Sequence, residues 1–410
     1  MTGRFGILAS ALLVSLMFAP AKAAVDPLPR STPESVGLNS AKLAEATALL
    51  KQYVADRKIA GAVAAVARKG KLGYLEAVGV QDLASQAPMT DRSLFRIYSM
   101  TKSVTAVAVM MLHEEGKFRL DDPVSKFLPE FKEVDVATAA GVRPPSRAIT
   151  IEDLLLHTSG LNHRTSEEYR RAKVRSRSMT LPEFVTSIVR VPLMEDPGTR
   201  YRYSESPTVL GRLVEIWSGK PFDVFLNERI LGPLRMSDTA FWAASEARAR
   251  LTTVYAPAPG GGLAPVELED VPFTERPKLL EGAVGLLSTA PDYLRFSQML
   301  LNGGVLDNAR LLKASTVQTI TSNGLSNAVQ AARGGSMGWG IANVNVALNP
   351  GPPTYPSNRG EYGWDGSAGT IFWVDPGLEM AIVLMTQNSP ANPDSLRQRF
   401  KTIVQNAIIQ

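Results

Sequence analysis

The chain contains no cysteine and only three histidines among its 410 residues. The first absence excludes disulfides, thiolate nucleophiles and cysteine-ligated metals. The second leaves little for metal or triad chemistry, because His113, His157 and His163 do not stand at H-E-x-x-H spacing and no carboxylate cluster resembles a metal site. A Walker loop is missing, and no G-x-G-x-x-G opens a helix after a strand, so neither a metal nor a nucleotide cofactor is expected. The excess of one charge over the other is small as well. The formal charge is +5, falling to +3 without Arg4 and Lys22, and its even spread argues against a nucleic-acid partner. The apolar run over residues 7–18 is short for a membrane span, with an uncleaved membrane anchor as the alternative reading. With Arg4 before it and Ala21-Lys22-Ala23 after it, the run reads as a secretory signal over residues 1–23. The mature chain is then expected in the periplasm or outside the cell, with no membrane span after cleavage.

What remains is 45% hydrophobic and 20% charged, enough to bury a large core. Its most informative stretch is Ser99-Met100-Thr101-Lys102, the one S-x-x-K in the chain, opening an apolar helix that Gly116 can close. Residues i and i+3 share a helix face, so the lysine amine can reach the serine hydroxyl. A serine needs an adjacent base to act as a nucleophile, and lysine becomes one when burial and a helix N-terminus lower its pKa. No histidine is required.

Asn39 or Ser40 can cap a helix running to about Asp56. Strands are expected over Ala60–Arg68 and Leu72–Val78, and a hairpin over Gly369–Val374 and Met380–Thr386 around Asp375-Pro376-Gly377. Trp339–Val346 reads as a further strand, Asp394–Ile408 as a last amphipathic helix, and Ala256–Gly262 as an exposed loop. The pattern points to an α/β (α+β) fold, with an antiparallel sheet flanked by helices. Both chain ends build the sheet lobe (about 24–98 and 285–410), and a mainly helical insert occupies about 99–284. A site between two such lobes is the usual place for a substrate.

Two further boxes carry chemistry. In Pro197-Gly198-Thr199-Arg200-Tyr201-Arg202-Tyr203-Ser204, Tyr203 stands just before a helix and can present its phenol to a cleft. A nearby cation such as Lys102 would favour the phenolate. In Gly363-Trp364-Asp365-Gly366-Ser367-Ala368-Gly369, small residues at a strand entry permit close approach of a substrate to the backbone. An amide from this strand and that of Ser99 can form an oxyanion hole.

Together these boxes resemble the serine β-lactamase and penicillin-binding superfamily, and most of all its esterase branch, the family VIII carboxylesterases. The resemblance extends to Leu120-Asp121-Asp122-Pro123-Val124, Leu155-Leu156-His157-Thr158-Ser159-Gly160-Leu161 and Gly285-Leu286-Leu287-Ser288-Thr289 with Asn302-Gly303-Gly304. It implies a β-lactamase/transpeptidase-like fold and a serine hydrolase without cofactor. Ser99 would be the nucleophile, Lys102 and Tyr203 would share the proton work, and the amides of Ser99 and Ser367 would bind the oxyanion. Trp364, Asp365, Gly366 and Glu205 would line the substrate site.

The departures from that pattern bear on substrate. Penicillin-recognising members carry Y-x-N, but Glu205 takes the asparagine position here, and Trp364-Asp365-Gly366 replaces K-T-G. The lost lysine removes a grip on the carboxylate of a β-lactam, with Glu205 and Asp365 adding repulsion, so a small neutral ester is the expected substrate. A β-lactamase, a D-Ala-D-Ala carboxypeptidase and an amide or oligomer hydrolase are alternatives of the same fold; a catalytically silent binder of cell-wall peptide is another. The sequence does not specify an oligomeric state. Gly334-Gly335-Ser336-Met337-Gly338 matches the G-x-S-x-G nucleophile elbow, but no histidine follows His163 to serve as its base, so Ser336 reads as a turn residue. His157 reads as structural, favoured by the end of the helix it closes.

Overall fold

The computed structural model describes residues 28–409. The expected signal segment lies outside them. Asn39 caps the first helix, α1 (Ser40–Ala55), its side chain accepting from the Lys42 amide at 2.9 Å. The strands β1 (Gly61–Arg68) and β2 (Lys71–Asp82) follow as a hairpin, β2 running four residues beyond the expected end, and β3 (Ala87–Pro88) forms the edge. Helix α2 (Thr101–Glu114) comes next, then the short α3 (Ile151–Leu155), α4 (Leu181–Ile188), α5 (Ser206–Ser218) and α6 (Ala290–Leu301). Strands β4 (Met337–Gly340), β5 (Val344–Ala347), β6 (Tyr362–Asp365), β7 (Ile371–Asp375) and β8 (Met380–Met385) precede the last helix, α7 (Leu396–Asn406).

These strands form one eight-stranded antiparallel sheet in the order β4-β5-β6-β7-β8-β1-β2-β3. Both ends of the chain therefore meet at its centre, where β1 pairs with β8 in the register Ala64↔Leu384. The sequence of β1, Gly-Ala-Val-Ala-Ala-Val-Ala-Arg, has no polar alternation because both of its faces are covered. Val63, Ala65 and Ala67 join the core shared with α2 and α6. Ala62, Ala64 and Val66 face the opposite way, into the core built with α1 and α7. Helix α2 is buried on every side from Thr101 to Leu112, which explains its lack of a polar face.

Two expectations need correction. Trp339–Val346 is not one strand but a hairpin, turning at Asn343 with φ +57°. Asparagine tolerates that left-handed conformation, and the apolar residues on both sides hid the turn. The stretch between α2 and α6 carries helices joined by long connections, as expected, and adds small two-stranded ribbons. One of these pairs Tyr255–Pro257 with Leu263–Pro265, so the expected loop at Ala256–Gly262 is a hairpin tip. A ribbon that reaches outside this stretch pairs Phe95–Arg96 with Leu287–Ser288 and ties the segment before α2 to the segment before α6.

Candidate active site

Ser99 lies in a single 3-10 turn, Tyr98–Met100, immediately before α2. Tyr98 holds a positive φ of +40°, costly for a bulky residue, and its buried ring packs edge-on against Phe273 with centroids 6.1 Å apart. That strained turn aims the Ser99 side chain at the first turn of α2. There Lys102, fully buried, places its Nζ 3.3 Å from Ser99 Oγ and donates to the Ala283 carbonyl at 2.9 Å. Thr105, one turn further, donates to the carbonyl of Gly282 at 2.7 Å, so α2 and the 282–283 segment are fastened together at two points.

Burial lowers the Lys102 pKa to about 7; Arg164 pushes the same way, while Glu205, Glu281 and Asp365 oppose. The amine is thus available unprotonated near neutral pH. Tyr203, at the entry to α5, lies with its ring centroid 4.6 Å from Lys102 Nζ. Its hydroxyl accepts from the Trp364 indole at 3.0 Å and hydrogen-bonds with Ser99. Burial pushes this phenol well above its ordinary range. Of this pair it is the lysine, not the phenol, whose pKa burial brings toward neutrality.

The third box forms the opposite wall. Strand β6 pairs with β7 along its length but with β5 only at Tyr362 and Gly363, which leaves the other edge unpaired from Trp364 onward. The chain then turns over Gly366–Gly369, and Ser367 is exposed at that turn. Gly366 is needed for the close approach: a Cβ there would lie 2.5 Å from the Ile97 carbonyl, two residues before Ser99. Thr370 Oγ1 reaches the same carbonyl at 3.4 Å. The structure thus brings the Ser367 turn beside the Ser99 turn.

Two site residues behave differently from expectation. Glu205 is completely buried, with Oε2 3.5 Å from Thr208 Oγ1 and Oε1 without a partner, so it does not line a substrate surface. Its influence reaches the site through its field on Lys102. Asp365 presents no free repulsion, because it is ion-paired with Arg397 of α7. Arg397 also donates to the carbonyls of Gly366 at 3.0 Å and Thr370 at 3.2 Å, clamping the turn that carries Ser367.

Arg397, Trp339 and His163 are site residues that sequence reasoning missed. Trp339 is fully buried and meets Trp364 edge-on with centroids 4.7 Å apart. His163 stacks on Tyr203 at 5.6 Å. His157, also fully buried, packs 4.8 Å from the Tyr203 ring, and its Nδ1 accepts from the Ser204 amide at 3.1 Å. Burial holds its pKa well below the usual value, and Lys102 adds to the effect. It is a neutral packing residue, so the expected charge–dipole benefit is corrected. Ser336 sits in an exposed bend before β4. Among the described residues no cluster of histidine and carboxylate side chains is placed to hold a metal ion, and no helix is long and apolar enough to cross a membrane.

Comparison with known proteins bears on the family and the fold. The profile of the family described as "Beta-lactamase" matches residues 46–405. An uncharacterised protein of Mycobacterium tuberculosis is 34% identical over 349 residues, covering 81% of this chain and 86% of its own. Esterase EstB of Burkholderia gladioli is 29% identical over 381 residues, covering 87% of this chain and 93% of its own. Among solved structures, EstCE1, "a hydrolase with promiscuous acyltransferase activity", superposes with a TM-score of 0.78 at 24% identity, covering 90% of this chain and 99% of its own, a likeness of fold.

Proposed function

We propose, from the premise that this chain belongs to the beta-lactamase family and is a serine hydrolase, that it cleaves neutral short-chain carboxylic esters through an acyl-enzyme on Ser99. The observation that carries the reading is the fully buried Lys102 amine, 3.3 Å from Ser99 Oγ and titrating at about 7. Unprotonated Lys102 takes the proton of Ser99 as Oγ attacks the ester carbonyl carbon. The developing oxyanion accepts from the amides of Ser99 and Ser367. The alkoxide leaves with a proton relayed through Tyr203, and water then attacks the acyl-enzyme by the same route in reverse. The secretory signal reading places this chemistry in the periplasm or outside the cell.

The sign of the pH dependence follows from the lysine. Below its pKa the ammonium has no lone pair to accept the Ser99 proton, so kcat/KM is expected to rise along one ascending limb centred near 7. A plot of log kcat/KM against pH for p-nitrophenyl butyrate checks this; a flat profile from pH 5 to 9 would contradict it.

Substrate choice is the second test. The third box supplies no cation for a β-lactam carboxylate, and the neighbouring Arg397 already holds Asp365. An unpaired carboxylate in a partly desolvated cleft costs about 3 kcal/mol, equivalent to roughly a hundredfold in kcat/KM. Good turnover of p-nitrophenyl acetate and butyrate is expected, with poor turnover of long acyl chains and weak or absent turnover of benzylpenicillin. Benzylpenicillin hydrolysed faster per active site than p-nitrophenyl butyrate would replace the esterase reading with a β-lactamase one.

A further inference from the structure

On the α7 side of the sheet lies a cavity of about 520 Å³, joined to the catalytic groups through Trp364, whose indole donates to Tyr203. It begins at Trp364, Asp365 and Arg397 and runs along Ile371, Trp373 and Tyr355. Trp373 Nε1 donates to Tyr355 Oη at 2.8 Å, which satisfies the indole, and the Lys401 ammonium lies 4.5 Å from the Tyr355 ring centroid. The two carboxylates lining the cavity are both matched. Glu361 pairs with buried Lys401, and Asp365 pairs with Arg397.

The Asp365–Arg397 pair is lopsided. The Arg397 side chain is 8% exposed and that of Asp365 41%, so the carboxylate lies on the solvent side of the guanidinium and covers it. An arginine fork is the side chain best suited to a carboxylate, and one left buried without a partner is costly.

We propose that this cavity receives one arm of the ester and that Asp365 acts as an internal plug on Arg397, restricting that arm to uncharged, apolar or aromatic groups. With Asp365 removed, the same guanidinium becomes a binding site for a carboxylate on the substrate. The inference rests on the esterase reading but deepens it, because charge selection here is set by one intramolecular ion pair and not by the absence of a cation.

The test compares two matched pairs of esters, one for each arm. Phenyl butyrate is set against 4-carboxyphenyl butyrate, and p-nitrophenyl butyrate against the p-nitrophenyl monoester of succinic acid. Wild-type enzyme is expected to favour the neutral member of at least one pair. In Asp365→Asn that preference is expected to shrink about tenfold or more, mainly through KM of the anionic ester, and to return in Asp365→Asn/Arg397→Gln. The pair that responds identifies the arm. Asp365→Thr serves the same purpose should Asp365→Asn fold poorly. Wild type favouring the anionic member of both pairs, or preferences unmoved in both folded variants, would overturn the plug. Absence of ester turnover by wild type would instead overturn the esterase reading, so the two failures are distinguishable.

Discussion

Replacing Ser99 by alanine is expected to lower ester turnover by at least about 10⁴-fold while leaving the melting temperature nearly unchanged. The hydroxyl caps no helix: α2 has Met100 at its N-cap position without a side-chain bond. The Ser99 contacts described above lead only to Lys102 and Tyr203. Deleting it therefore removes the attacking atom and little of the scaffold. Steady-state rates with p-nitrophenyl butyrate and a thermal melt of the same preparation check both halves. Near-normal activity in Ser99→Ala, combined with its loss in Ser336→Ala, would move the nucleophile to the exposed bend before β4.

Lys102→Ala and Tyr203→Phe are each expected to cost about 10²–10⁴ in kcat, the range of a positioned acid–base group. The two losses should fall well short of additive in the double variant, since both groups serve one proton path. Additive losses would mean that the two act at separate steps.

Lys102 also carries a stability signature. Its folded pKa of about 7 lies below the ordinary lysine value of 10.5. The folded state thus binds fewer protons than the unfolded one between those limits, and stability gained from this group rises with pH across that window. Lys102→Met is therefore expected to be inactive yet more stable. The gain, on the order of a few kcal/mol, is largest below pH 7 and fades toward pH 10. Chemical denaturation of both proteins at pH 6 and pH 9.5 measures it; a destabilised Met variant at pH 6 would show that the bond to Ala283 outweighs the desolvation.

Ser99, Lys102 and Tyr203 are legible in the sequence because each sits at a boundary with local grammar. A serine and lysine one turn apart open an apolar helix, and a tyrosine precedes another. The central strands are legible for a similar reason, as short apolar runs closed by turns such as Lys69-Gly70 and Pro376-Gly377. Arg397 is different. It lies on an amphipathic helix where arginines are ordinary, and its partner Asp365 is 32 residues away. Only the pairing of α7 against the end of β6 shows that the two charges cancel. Trp339 is hidden inside what reads as one strand, because the turn that folds that stretch back puts Asn343 at its left-handed position and carries its one glycine, Gly340, at the strand end. Glu205 occupies a motif position, but motif position gives no burial, and its enclosure decides that it acts on Lys102 through space.

The central claim is a covalent acyl-enzyme on Ser99. Its most direct test is mass spectrometry of enzyme mixed with p-nitrophenyl butyrate and acid-quenched during the first turnovers, followed by peptide mapping. The account expects one butyryl group per chain on the peptide containing Ser99, abolished in Ser99→Ala and diminished in Lys102→Ala. A butyryl group on the peptide containing Ser336, or full turnover with no acylated serine under any quench time, would contradict it.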